Sequence, residues 1–386
     1  VYKNGKENSK MKKIVFGITG LTLGGAERVL VDIANKICEE KECEITIFTI
    51  YAKGELEKQL NNQVKLKTIY NKQYKELNTI QRKLIVPLKI LLQKRRIYRE
   101  NIKSKYDVEI AFLEGPITRI FAEGKEKDKK IAWIHNDISQ VFGTGIKAKV
   151  KRIIDEKIYK KFKKIIFVSK DNLEKFEKQY KNESEKTVIY NYIDSKRIIR
   201  KAQEGQATEL RNGERNIVTV ARLVEQKGID RLIKVHSRLI KEEIRHNIYV
   251  IGEGPEREKL EELIKKEQCQ ETIKLLGAKE NPYPYIKQAD YFALLSNYEG
   301  YPMVLLEAQI LGKYIIITNT SAKEAIQGYE TSKIFQNTEE GIYKGLKEIL
   351  KDIKNTMEIE NSKEYNNEQI IDEIRKLIGI TNKKAN

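Results

Sequence analysis

The chain has 386 residues, enough for two or three domains. Its 74 Lys and Arg outweigh its 56 Asp and Glu, for a formal charge of +18, and 40% of it is hydrophobic. That composition fits a folded globular chain and excludes a disordered one. No run approaches the ~18 apolar residues of a spanning helix, which excludes transmembrane transport.

Residues 1–10, VYKNGKENSK, lack the apolar stretch of a secretory signal and are expected to be a loose leader. The first buried-strand run is KKIVFGI (12–18), followed by a glycine-bearing turn and helical periodicity from Ala26 to Glu40. Strand runs follow at 44–50 and 64–69, then a long basic helical stretch, then strands at 108–112, 130–135, 164–169 and 186–191. Residues 196–215 are polar, contain Gly205 and Gly213, and predict a linker. A second series of strands runs 216–222, 247–252, 272–277, 290–296, 314–319 and 333–336, with helical segments between them. The alternation predicts an α/β fold of two domains, each with a parallel sheet: 11–195 and 216–352. Residues 353–386 predict a helical tail that could cross back to the first domain. The three cysteines, Cys38, Cys43 and Cys269, are too few for a disulfide framework or a four-ligand zinc site and are read as reduced thiols of a cytosolic protein.

The charge is uneven: about +19 over residues 1–200 and about −1 over the rest. It concentrates in 81–100 and 141–170, where Leu and Ile alternate with Lys and Arg at near-helical spacing. Such segments suit an anionic membrane surface. Nucleic acid is set aside as a partner, because no recognised motif is present and aromatics are not interleaved with the basic runs.

In parallel α/β sheets ligands bind beyond the C-terminal strand ends, so the loops there carry the chemistry. The most informative is SNYEGYPMVLLEAQILG (296–312). Glu299 and Gly300 sit after a strand, Pro302 suits the first turn of a helix, and Glu307 is the only charge on an otherwise apolar helix. An unpaired carboxylate there would be costly, so Glu307 is expected to face a cleft, a cation or strong donors. The helix start between the two acids can seat a phosphate. A carboxylate on each side suits a ligand with a central diphosphate and hydroxyls at both ends, the shape of a nucleotide sugar. VARLVEQKGIDRLI (220–233) adds Arg222 and Lys227 at the ligand edge, where a fork and a compact ammonium can hold phosphate. No Asp-X-Asp pair or His/carboxylate cluster is present to hold a divalent metal, so no metal site and no cofactor are expected, and the two cations would have to stabilise a leaving diphosphate.

In the first domain, Gly24 and Gly25 allow close approach to a helix start. The spacing departs from the nicotinamide fingerprint, and the second strand ends in Ile50 and Tyr51 rather than an acid, which argues against a dehydrogenase. WIHND (133–137) follows another strand. His135 could bind a sugar hydroxyl or phosphate, or balance charge as a leaving group departs, and Asp137 could be an acceptor-side contact or base. His236 and His246 are expected to be structural or exposed.

GGAERVL, ARLVEQKGID, IGEGPEREKL and EGYPMVLLE together resemble glycosyltransferase family 4, from Met11 to about residue 350. The resemblance implies the GT-B fold, two Rossmann-like domains facing across a cleft, and metal-independent transfer with retention of anomeric configuration. It implies that Glu299 holds donor-sugar hydroxyls, Glu307 the ribose, and Arg222 and Lys227 the diphosphate. Gly25 would lie by the donor phosphates or the acceptor, and His135 near the donor sugar. The expected activity is transfer of a hexose or N-acetylhexosamine from a UDP-sugar substrate to a lipid-linked or polymeric surface glycan, in the cytoplasm at the inner membrane face. A sugar-nucleotide epimerase of similar fold and a non-catalytic glycan-assembly partner remain as alternatives.

Overall fold

The computed structural model describes residues 11–39, 43–73, 76–138, 145–352 and 367–380. They form two compact units, divided between Tyr192 and Ile193, with the chain from Asn367 onward returning to the first.

The first unit holds β1 (Lys12–Ile18), α1 (Gly25–Cys38), β2 (Cys43–Tyr51), β3 (Lys65–Tyr70), α2 (Val86–Asn101), β4 (Val108–Ala111), α3 (Pro116–Phe121), β5 (Lys130–Ile134), α4 (Ile146–Tyr159), β6 (Lys164–Phe167), α5 (Lys170–Gln179) and β7 (Glu185–Val188). Its seven strands are all parallel, in the order β3-β2-β1-β4-β5-β6-β7. The central strands are apolar almost throughout because both faces are covered: β1 buries Ile14 to Ile18 without a break. Phe48, Phe121, Phe162, Phe167 and Phe176 anchor one side of the core.

The second unit opens with α6 (Ser195–Gln203) and continues β8 (Asn216–Val220), α7 (Ile229–Lys241), β9 (Asn247–Ile251), α8 (Arg257–Lys266), β10 (Ile273–Gly277), α9 (Tyr283–Gln288), β11 (Tyr291–Leu294), α10 (Met303–Ile310), β12 (Tyr314–Thr318), β13 (Ser332–Phe335) and α11 (Glu339–Lys351). Its six strands are parallel in the order β10-β9-β8-β11-β12-β13. Every strand expected from the sequence is present, within a few residues of its expected bounds.

The expected linker 196–215 is corrected. Its first third is α6, whose N-cap Asp194 accepts from the Arg197 N–H at 2.9 Å and whose apolar side buries Ile198 and Ala202. The helix packs on α9 and α10, so these residues belong to the second unit's body. The C-terminal α12 (Asn367–Ile378) buries Ile370, Ile371, Ile374 and Ile378 and packs against α1. Lys12 Nζ donates to the Gly379 carbonyl at 3.1 Å. The expected leader 1–10, residues 353–366 of the expected tail and its last residues 381–386 lie outside the described residues.

Candidate active site

In each sheet the strand order reverses direction once: between β1 and β4 in the first, between β8 and β11 in the second. At such a switch point adjacent loops leave in opposite directions and open a crevice at the strand ends. In the second unit the two loops at that point are those singled out by sequence. Arg222 and Lys227 follow β8; Glu299 and Gly300 follow β11.

These loops are knitted together. Lys227 Nζ lies 2.6 Å from Glu299 Oε1, and Ser296 Oγ donates to the same oxygen at 2.5 Å. The Asn297 N–H donates to the Gln226 carbonyl at 2.8 Å, and Asn297 Nδ2 to the Glu225 carbonyl at 2.7 Å. Below them Arg231 spans the Leu295 carbonyl and Asn337 Oδ1 at 2.7 and 2.9 Å. Gly228, at φ +60°, closes the 3-10 turn Glu225–Lys227 and starts α7. A side chain there would meet the Leu295 carbonyl at 2.7 Å, so the chain needs glycine for both conformation and space. The IGEGP segment braces the other side. A Cβ on Gly252 would fall 1.9 Å from the Ala221 carbonyl, and one on Gly254 2.3 Å from that of Leu223. The Leu223 N–H also bonds the Glu253 carbonyl at 3.0 Å.

Glu299 is only 6% exposed, deeper than a loop carboxylate usually sits, and Lys227 supplies the charge that burial demands. The two side chains are direct partners, a pairing that the sequence alone did not predict. Lys227 still has two further N–H donors, and Glu299 Oε2 has no protein donor among the described residues. Arg222 is exposed, with no side-chain partner among the described residues, so its whole fork is available. Glu307, half-buried on α10, accepts from Tyr283 Oη at 3.2 Å. Tyr283 is one donor to it, and sequence reasoning missed it. Pro302 is the residue before α10 rather than its first, with φ −76° and ψ 118°.

In the first unit His135 and Asp137 follow β5, and Gly24 and Gly25 follow β1. Burial pushes the His135 imidazole down to about 3, so it is neutral near pH 7. That corrects the charge-balancing role considered for it. Its ring lies 4.6 Å from Phe112, and Nε2 is shielded from solvent with no hydrogen-bond partner among the described residues. A buried unpaired ring nitrogen costs stability and is a group waiting for a polar contact. Glu114, missed from sequence, holds this loop. Its Oε1 accepts from the His135 and Asn136 N–H groups at 2.6 and 2.7 Å, and its Oε2 from Asn136 Nδ2 at 3.0 Å. Burial raises its carboxyl against those bonds. The signal was available: Glu114 stands between a strand end and a Gly-Pro helix start.

Asp137 is 2.7 Å from Lys175 Nζ, which also reaches Asp171 at 2.7 Å. Burial works to lower the Lys175 ammonium, but these two carboxylates outweigh it and raise it. Asp137 is thus held in an ion pair with Lys175. Gly24 is the residue before α1, and Gly25 its first. The Glu27 carboxylate lies 2.1 Å from where a Gly24 side chain would begin, so an anion arriving there would meet the chain's own carboxylate first. His236 and His246 are both buried and bond each other at 2.8 Å.

Residues 201–377 match the family model of glycosyl transferases group 1. The chain is 30% identical over 209 residues to the Campylobacter jejuni N-acetylgalactosamine-N,N'-diacetylbacillosaminyl-diphospho-undecaprenol 4-alpha-N-acetylgalactosaminyltransferase, covering 53% of this chain and 55% of that protein. It is 30% identical over 202 residues to the Escherichia coli O-antigen biosynthesis glycosyltransferase WclY, covering 50% and 54%. The chain thus spans about half the length of the curated relatives it matches. Among solved structures, Anabaena HepE in complex with UDP and glucose aligns with a TM-score of 0.74 at 16% identity, over 95% of this chain and 99% of HepE. That likeness covers both units and shows the fold, GT-B, with two Rossmann-like units.

Proposed function

We propose that this chain is a glycosyltransferase of family 4. It moves a hexose or N-acetylhexosamine from a UDP-sugar to a lipid-linked or polymeric glycan, with retention at the anomeric carbon. The observation that carries the reading is the second unit's switch point, where the Lys227–Glu299 pair, the open Arg222 fork and the start of α10 share one strand edge. Arg222 takes phosphate oxygens in a fork, and the remaining Lys227 N–H donors add a compact charge. As the sugar–oxygen bond breaks, negative charge grows on the diphosphate, and donors already in place stabilise it without reorganising. Glu299 Oε2 accepts from a donor-sugar hydroxyl, and Glu307, steadied by Tyr283, accepts from the ribose. Neutral His135 offers Nε2 to the sugar.

The relatives favour the acceptor class: one is named for transfer to a diphospho-undecaprenol glycan, the other for O-antigen biosynthesis. A lipid-linked acceptor would bring the enzyme, in the cytoplasm, to the inner membrane face. The test is nucleotide release across a panel of sugar nucleotides, with and without membrane lipid extract. Release stimulated by extract from one or a few UDP-sugars is expected, and the anomeric coupling of the product reads retention. Product formed without acceptor would make the protein an epimerase. No donor binding at all would leave it a non-catalytic partner.

A further inference from the structure

We infer that the outward faces of α2 and α4 form a two-helix docking surface for an anionic lipid bilayer, with an apolar stripe that enters the headgroup layer and a basic border that lies on it. The surface rests on the proposed transfer to a lipid-linked acceptor for its purpose, though not for its geometry.

α2 turns Val86, Ile90, Ile97 and Tyr98 into the first unit's core. The other side is where a surface helix places its polar residues. Here it carries Leu88, Leu91 and Leu92, continuing Ile80 and Leu84 from the preceding turn, and all five are exposed, Leu92 to 74%. The spacing of three and four makes them one stripe rather than scattered residues. One turn further on the same side becomes Arg95, Arg96 and Arg99. α4 repeats the pattern. Tyr159 and Asp155 face inward, the latter paired with Arg119 of α3 at 3.3 Å, while Val150, Ile153 and Ile154 are exposed. Lys149, Lys151, Lys157 and Lys160 stand exposed around them. α3 packs against both helices, and all three cover the same side of the sheet.

Nine of the fifteen large hydrophobic side chains exposed among the described residues sit on α2, its preceding turn and α4. A second copy of the chain is a poor occupant. α2 has five cations against one carboxylate and α4 five against two, so self-pairing would bring like charges together. An anionic bilayer satisfies both halves of the pattern: each basic residue near such a surface raises partition about fivefold, and buried Leu and Ile add to it.

The experiment is flotation of the full chain with vesicles of phosphatidylcholine alone, and with phosphatidylglycerol added. Binding only to the anionic vesicles, weakened by salt, is expected. Leu88→Glu with Leu92→Glu, and separately Ile153→Glu with Ile154→Glu, should each cut binding about tenfold or more. Their circular dichroism and UDP affinity should stay unchanged, since these side chains are exposed. Leu88→Gln with Leu92→Gln removes the apolar surface without adding negative charge and should give an intermediate loss. Equal binding to neutral vesicles, wild-type binding by the variants, or a dimer that the variants dissociate would each overturn the inference. Vesicle binding without donor turnover would sink the enzymatic reading and leave the surface standing; turnover without vesicle binding would do the reverse.

Discussion

The two units share one strand order but secure the loops beyond their strand ends differently. In the second, the loops after β8 and β11 are bound to each other by an ion pair and by side-chain and backbone hydrogen bonds, with glycines pressed against carbonyls beneath. In the first, the loops after β4 and β5, beside the β1/β4 switch point, meet through the Glu114 carboxylate and the Phe112–His135 ring contact. The contrast fits a division of labour. A cradle for an invariant group, a diphosphate, profits from being rigid before the ligand arrives. A loop that meets variable chemistry can be held by fewer contacts.

The largest effect should come from breaking the rigid cradle at its one open cation. Arg222→Ala should leave the melting temperature unchanged, because the side chain is exposed and unpartnered among the described residues, yet lower turnover by about a hundredfold or more, the scale of losing one charge-stabilising donor. Lys227→Ala should be as damaging to turnover but also destabilising, because it strands the buried Glu299 carboxylate. If Arg222→Ala turns over like the wild type, the cradle is misassigned.

Next, Gly252→Ala should lower the denaturation midpoint of the second unit and weaken UDP binding together. The new methyl would collide with the Ala221 carbonyl, and φ is +147°, a conformation that alanine resists. About 2–3 kcal/mol is the expected scale for overpacking combined with backbone strain. Gly213→Ala is the control for conformation without collision, since φ there is +75° and nothing lies within 4 Å.

The more lightly held loop gives a smaller, more selective effect. Glu114→Gln keeps the shape but loses charge from bonds to two N–H groups, worth about 1–2 kcal/mol. Turnover should fall about tenfold with UDP affinity unchanged. A matching loss of UDP affinity would show that the two sites are not separable in this way.

The difference between the units also explains what could be read from the sequence. The strands were legible because parallel sheets covered on both faces need unbroken apolar runs, as in KKIVFGI and YIIIT. Glu299, Glu307, Arg222 and Lys227 were legible because charge at the strand ends of such a sheet needs an explanation. What was hidden is who pairs with whom: Lys227 with Glu299, Tyr283 with Glu307 and Asp137 with Lys175 are contacts between residues 24 to 72 positions apart. The α6 helix was missed because its polar composition outweighed an Asp cap and two buried apolar residues.

A last prediction separates the units by pH. His236 Nδ1 bonds His246 Nε2 at 2.8 Å, and His246 Nδ1 donates to the Ile244 carbonyl at 2.8 Å. With His246 Nδ1 donating, its neutral ring accepts at Nε2, so His236 donates from Nδ1 and accepts at Nε2 from Thr272 Oγ1, again at 2.8 Å. Protonating His246 would set two N–H groups face to face. Burial therefore pushes His236 down to about 2, with His246 adding to it, and His246 down to about 4. Unfolded histidine titrates near 6.5, so below that pH the unfolded chain binds more protons and the second unit loses stability. The loss approaches about 1 kcal/mol per pH unit for each ring. In the first unit His135 acts in the same sense, but Glu109, raised to about 7 by burial, acts in the opposite one. Its folded form binds a proton that the unfolded form does not, so acidification from pH 7 toward 5 adds stability there. Trp133 is the chain's one tryptophan and lies in the first unit, so its fluorescence reports that unit while far-ultraviolet circular dichroism reports both. In denaturant at pH 7 the two probes set a reference separation. At pH 5 the circular dichroism transition should move to lower denaturant, ahead of the Trp133 transition. Equal shifts of both probes would mean that the two units do not differ in their response to acid.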